Sequence, residues 1–169
     1  MLGYQKDHHN RGFTIIEVIL ALLVISLVII GVLMFFPTSR KATEESALKT
    51  RIANSVVSEV EVLKAVGYKN LKKLLDYEGE AKDKLLVELL IKENSIKVYF
   101  DDIEIQSPPS SLLDILKVNN WKSSLSELGV EKGIIEIKTV GGVENLIGVR
   151  VRAEYGSGKN YEINTYISL

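Results

Sequence analysis

The chain has 169 residues, with 21 Lys plus Arg against 22 Asp plus Glu, two His and no Cys. That length holds one domain and an appendage. Balanced charge offers no basic surplus for nucleic acid, and the missing cysteine excludes disulfides, thiolate nucleophiles and Cys-ligated metals.

Residues 1–12 carry Lys6, Asp7, His8, His9 and Arg11 and end at Gly12. From Phe13 to Phe36 the only polar residues are Thr14, Glu17 and Ser26. As a helix this run is ~36 Å long against a hydrocarbon core of ~30 Å, so it is expected to span a membrane. A secretory signal peptide fits poorly, because its apolar region is short and ends at a small-residue site, whereas this run ends in Phe35-Phe36-Pro37-Thr38-Ser39-Arg40. Glu17 stands out, since an ionisable group near the bilayer centre costs ~2.5–3.5 kcal/mol and somewhat less toward the edge. A charge placed there calls for a partner. Basic residues flank the run on both sides, Lys6 and Arg11 before it and Arg40 and Lys41 after, so charge alone does not orient it.

The stretch Arg11-Gly12-Phe13-Thr14-Ile15-Ile16-Glu17-Val18-Ile19 resembles the processing site of type IV prepilins and type II secretion pseudopilins. It joins a small residue, an aromatic and one carboxylate in register with a long apolar helix. The resemblance implies that a membrane prepilin peptidase cuts between Gly12 and Phe13 and methylates the Phe13 nitrogen. It also implies that the leader lies in the cytoplasm, that the head lies outside, and that Glu17 serves assembly with other pilin subunits. Loss of Lys6, Asp7 and Arg11 with the leader would shift the net charge from −1 to about −2. Both histidines would go with it, which leaves His8 and His9 no metal role in the mature chain. Some pilins carry a cysteine pair near the C-terminus; here packing alone must hold the head.

Pro37 is expected to kink the helix rather than stop it. Beyond it, Leu48, Ile52, Val56, Val60 and Leu63, flanked by Ala53 and Val57, recur at helical spacing, with Glu44, Glu45, Lys49, Arg51 and Glu59 mostly off that stripe. Val66-Gly67-Tyr68 supplies a stop. Asn70 is placed to cap a short helix, Leu71 to Leu75. Glu80 to Glu93 is read as a helix through Leu85, Leu86, Leu89 and Leu90, although Lys84 to Ile91 is apolar enough for a buried strand. Ser95 to Phe100 and Ile103 to Gln106 read as strands joined at Asp101-Asp102, and Ser107-Pro108-Pro109-Ser110 breaks the chain. Short helices follow around Leu112 to Lys117 and Trp121 to Leu128.

Gly133 to Val140, Leu146 to Tyr155 and Lys159 to Leu169 read as an antiparallel meander, separated by Gly141-Gly142 and Gly156-Ser157-Gly158. A three-residue turn at 156–158 pairs Tyr155 with Lys159, sets Val151 against Ile163 in the core and Arg152 against Glu162 on the wet face. The expected fold is α+β: a long N-terminal helix, half membrane-spanning and half amphipathic, packed on a small antiparallel sheet. The expected organisation is a leader at 1–12, the helix at 13–67 with its apolar segment at 13–36, and a head at 68–169. The pilin resemblance implies the same fold, and the last strand, Tyr161 to Ile167, is similar to that of PilV- and GspI-type minor pilins.

No chemistry is legible in the head. Without His or Cys the usual nucleophile and base pairs have no members. Asp101, Asp102 and Glu104 lack the spacing of a calcium loop and read as a turn, and Arg150 and Arg152 read as cross-strand ion-pair formers. Neither an enzyme nor a cofactor is expected. The favoured function is a minor pilin or pseudopilin held in the cytoplasmic membrane by Phe13 to Phe36, with prepilin peptidase, other subunits and membrane lipid as partners. The rival reading is a bitopic membrane protein with a ligand-binding or sensory head, and a tethered hydrolase comes third.

Overall fold

The computed structural model describes residues 13–77 and 79–169. The expected leader lies outside them. The chain divides into two compact units, one reaching to Glu45 and the other Ser46–Leu169. Helix α1, Ile15–Leu74, contributes to both.

In the first unit every residue from Phe13 to Glu45 is exposed. Among the described residues α1 is the one helix long and apolar enough to cross a membrane. It runs on through Pro37 without leaving helical backbone angles. The proline leaves a carbonyl of the preceding turn without its amide donor, and next to that gap the Thr38 hydroxyl donates to the Met34 carbonyl at 3.2 Å.

In the second unit α1 turns Ile52, Val56, Glu59, Val60 and Leu63 inward. Gly67 then breaks it, at φ 77° and ψ 161°, a conformation open to glycine and strained for other residues. Helix resumes at once and reaches Leu74, so Asn70 does not begin a new helix. Its Nδ2 instead donates to the Val66 carbonyl at 2.9 Å, satisfying an acceptor that the break exposes.

The strands are β1 (Asp76–Tyr77), β2 (Glu80–Ala81), β3 (Lys84–Leu90), β4 (Ser95–Phe100), β5 (Ile103–Ile105), β6 (Lys132–Thr139), β7 (Leu146–Tyr155) and β8 (Lys159–Ser168). Helices α2 (Ser110–Ile115) and α3 (Val118–Glu127) lie between β5 and β6. Strands β1 and β2 form a small hairpin, and the other six form one antiparallel sheet in the order β5-β4-β3-β6-β7-β8.

Residues 84–90 are thus a strand and not the helix expected from the leucines. Leu85, Val87 and Leu89 are fully buried while Leu86, Glu88 and Leu90 alternate with them on the other face. The segment lies between β4 and β6, where backbone pairing on both sides overrides the helical propensity of leucine. Strands β4 to β8 fall close to their expected bounds, whereas β1 and β2 were not expected and β2 also replaces the start of the expected helix. Asp101 and Asp102 both have positive φ, the geometry of a two-residue hairpin turn.

One face of the sheet is the core. Leu85, Val87, Leu89, Val98, Ile135, Ile137, Val149, Val151 and Ala153 meet the buried side of α1 together with Leu112, Leu116, Val118, Trp121 and Leu125 from the α2–α3 segment. Gly133 is where α3 comes closest. A Cβ there would lie 2.6 Å from Leu125 Cδ1, 3.1 Å from Trp121 Cζ3 and 3.2 Å from Leu89 Cδ1. Gly133→Ala should therefore destabilise the head by ~1–3 kcal/mol, read as a lowered urea midpoint. Gly148→Ala is its control, because a Cβ at that position meets nothing closer than 3.6 Å.

The opposite face is wet. The last hairpin has the expected register, with Tyr155 opposite Lys159, Val151 opposite Ile163 and Arg152 opposite Glu162. Its ion pairs are distributed differently. Arg150 bridges strands to Glu136 at 3.0 Å and Glu162 at 3.5 Å, whereas Arg152 turns along its own strand to Glu154 at 2.8 Å. Glu162 is claimed by Arg150, which reaches acids on both neighbouring strands, and so the expected Arg152 to Glu162 pair does not form.

Candidate functional site

The start of α1 is built by Thr14 and Glu17. The Glu17 amide donates to Thr14 Oγ1 at 3.4 Å, and the Thr14 amide donates to Glu17 Oε2 at 3.3 Å. This reciprocal pair is a capping box, Thr-x-x-Glu, in which each residue's side chain meets the other's amide, and the Glu17 amide also donates to the Thr14 carbonyl at 3.1 Å. The Thr14 hydroxyl also donates to Oε2, at 3.3 Å. Glu17 thus sits in the first helical turn, where the backbone presents partial positive charge to its carboxylate. Phe13 precedes the helix and is 84% exposed.

Two consequences follow for the chemistry. The helix begins just after Phe13, so that residue is held in non-helical backbone at the end of the described chain. Oε2 takes all the hydrogen bonds described for the carboxylate, and among the described residues Oε1 takes none. One oxygen is fixed and the other is available to a cation. Gly12 lies outside the described residues. Thr14 was the residue that the sequence reading missed, although a Thr followed three places later by Glu at the head of an apolar run is the capping signature.

Residues 7–33 match the family model described as the prokaryotic N-terminal methylation motif. Over these residues the chain is type IV prepilin-like. The match covers the end of the expected leader and most of the apolar run, and it brackets Gly12, Phe13, Thr14 and Glu17. No curated protein and no solved structure matches the chain. The motif indicates a pilin-like precursor processed by prepilin peptidase, and with the apolar start of α1 it points to membrane anchoring.

The head of this prepilin-like chain commits its acids elsewhere. Asp101 Oδ1 accepts from the Asp83 and Lys84 amides at 3.0 and 2.8 Å, Asp102 pairs with Lys84 at 2.7 Å, and Glu104 lies 3.8 Å from Lys97. These bonds make the turn that the sequence suggested. The hollow over Gly148, about 270 Å³, is lined by Glu136, Lys138, Arg150, Asn164 and Tyr166, and Glu136 and Arg150 in it are spent on each other.

Glu59 departs from its expected place off the apolar stripe. It lies three residues after Val56 and four before Leu63, on the face that packs, and it is only 4% exposed. Its Oε1 has no hydrogen-bond partner among the described residues. Burial pushes its carboxyl up to about 8, against a smaller opposing pull from Lys117 at the head of α3.

Proposed function

We propose that this chain is a minor pilin or minor pseudopilin, of the kind represented by the PilV and GspI types. Prepilin peptidase cuts it between Gly12 and Phe13 and methylates the Phe13 nitrogen; the mature subunit then joins a type IV pilus or a type II secretion pseudopilus with its head outside the cytoplasm. It is a structural subunit and not an enzyme. The observation that carries this reading is the methylation motif over residues 7–33, with Glu17 held at the helix start. In an apolar bundle of helices an unpaired carboxylate costs several kcal/mol, and the Phe13 ammonium of a neighbouring subunit neutralises it while setting the axial register between them.

Two substitutions separate this role from helix capping. Glu17→Val removes both the charge and the box, while Glu17→Gln keeps a side chain that completes a capping box and removes only the charge. Both variants should be cleaved and inserted normally, and both should fall by about tenfold or more in sheared filaments relative to membranes, the loss expected for an ion pair worth over 1.4 kcal/mol. Undiminished incorporation of Glu17→Gln would reduce Glu17 to a cap.

A further inference from the structure

The six-stranded sheet contains two glycines, and only one of them has a packing reason. At Gly133 the space for a side chain is taken by Leu125, Trp121 and Leu89. Gly148 lies inside β7 in unbroken register with β6 and β8, its φ is not positive, and a Cβ there would meet nothing closer than 3.6 Å. Neither a bulge, a turn nor a close neighbour asks for glycine here. A glycine inside a strand costs stability, and one without a bend or bulge marks a place left open for close approach.

The register shapes what is left open. Lys138 stands opposite Gly148 on β6 and Tyr166 stands opposite it on β8. The place of the missing Cβ lies 3.6 Å from Lys138 Cγ and 3.7 Å from Tyr166 Cε1, ordinary contact on both sides. The gap is therefore one carbon thick at its floor, with an aliphatic stem for one wall and an aromatic ring for the other. Tyr166 is 66% exposed, so its ring still offers surface. Among the described residues Lys138 forms no ion pair, because the residue across from it on β3 is Lys84, which is itself held by Asp102 at 2.7 Å. In the next cross-strand row Arg150 is fixed to Glu136 at 3.0 Å, and its Nε donates to Asn164 Oδ1 at 3.1 Å. The charges of Glu136 and Arg150 cancel, yet a carboxylate has about four acceptor sites and a guanidinium several N–H donors, so hydrogen-bonding capacity remains.

We propose that the hollow over Gly148 binds a carboxylated pyranose, a single sugar ring bearing an acid group. The edge of the ring enters the gap that Gly148 leaves, its C–H face lies on Tyr166, its carboxylate meets the Lys138 ammonium, and its hydroxyls meet Glu136, Arg150 and Asn164. The hollow holds about 270 Å³, just below the ~300–1,000 Å³ usual for drug-sized ligands, which suits one ring. With Glu136 and Arg150 cancelling, Lys138 leaves the site one positive charge, and a neutral sugar would not answer it. The acidic side chain of a protein would reach Lys138 but leave the Tyr166 ring uncovered, and an aromatic acid would bring no hydroxyls to the polar row.

The inference uses neither the membrane anchor nor processing at Gly12, so it stands or falls apart from the proposed function. Its test titrates the full chain, in mild detergent, with sodium D-glucuronate, D-glucose and sodium benzoate, read by saturation-transfer NMR. Glucuronate should bind, and glucose and benzoate should bind about tenfold more weakly or worse. Lys138→Met, which keeps an apolar stem and removes the charge, should bring glucuronate down to the level of glucose. Gly148→Ala puts a carbon into the gap and should weaken glucuronate by about tenfold while the urea midpoint of the head holds. Tyr166→Ala removes the opposite wall and replaces Gly148→Ala as the deciding variant if the alanine lowers that midpoint. No binding of glucuronate, equal binding of glucose or benzoate, or glucuronate binding undiminished by Lys138→Met or by the deciding wall variant would each overturn the proposal.

Discussion

At pH 7 the Glu59→Gln chain should be more stable than the natural one by about 3 kcal/mol, and the difference should vanish toward pH 4. The folded carboxyl titrates at about 8 against an ordinary 4.5, because burial between Val56 and Leu63 disfavours the charged form. Below 4.5 both folded and unfolded chains carry the proton, and Glu59 costs nothing. As the pH rises from 4.5 to 8 the unfolded chain gives up its proton while the folded head keeps it, so stability falls through this window by ~1.4 kcal/mol per pH unit and then levels off. Glutamine has the shape of the protonated acid and does not titrate. The measurement is a pair of denaturation curves at several pH values, compared as a difference so that the other carboxylates, common to both chains, cancel. Parallel curves at all pH values would mean that Glu59 is ionised in the head, with Lys117 compensating it.

Replacing Gly12 by a bulky residue such as Leu should abolish processing altogether. A peptidase pocket that accepts a hydrogen atom at this position has no room for a side chain, and a leader that is not removed leaves Phe13 without the free amine that Glu17 is proposed to meet. Full-length precursor should accumulate in membranes, and filaments should contain none of it. Normal trimming of Gly12→Leu would place the cut elsewhere.

Glu59 and β3 show where sequence reading loses its grip. Alternation along β7 and β8, closed by glycines at Gly156 and Gly158, determined register to the residue, because a slip by one would move Val151 and Ile163 out of the core. In β3 nearly every position is apolar, so period two and period 3.6 fit equally well, and only pairing with β4 and β6 on both sides decides. Gly67 was legible because one residue type tolerates its backbone angles. Asn70 was not, since the same amide that caps a helix start also donates to a carbonyl left open by the helix end before it. Glu59 was taken as polar and therefore outside, although its spacing from Val56 and Leu63 already placed it on the packed face. At the candidate site the expected cleavage residues and the carboxylate stand out in the pattern around Gly12, while the job of Thr14 appears only when its hydroxyl and amide are seen to meet Glu17.

The central claim is that this chain is a precursor matured at Gly12, and the mass of the protein isolated from its native cell tests it most directly. The mature protein should begin at Phe13 and be heavier than the unmodified 13–169 sequence by one methyl group, about 14 Da, located on the N-terminal nitrogen. A chain retaining residues 1–12, or one cut on the C-terminal side of Phe36, would contradict it.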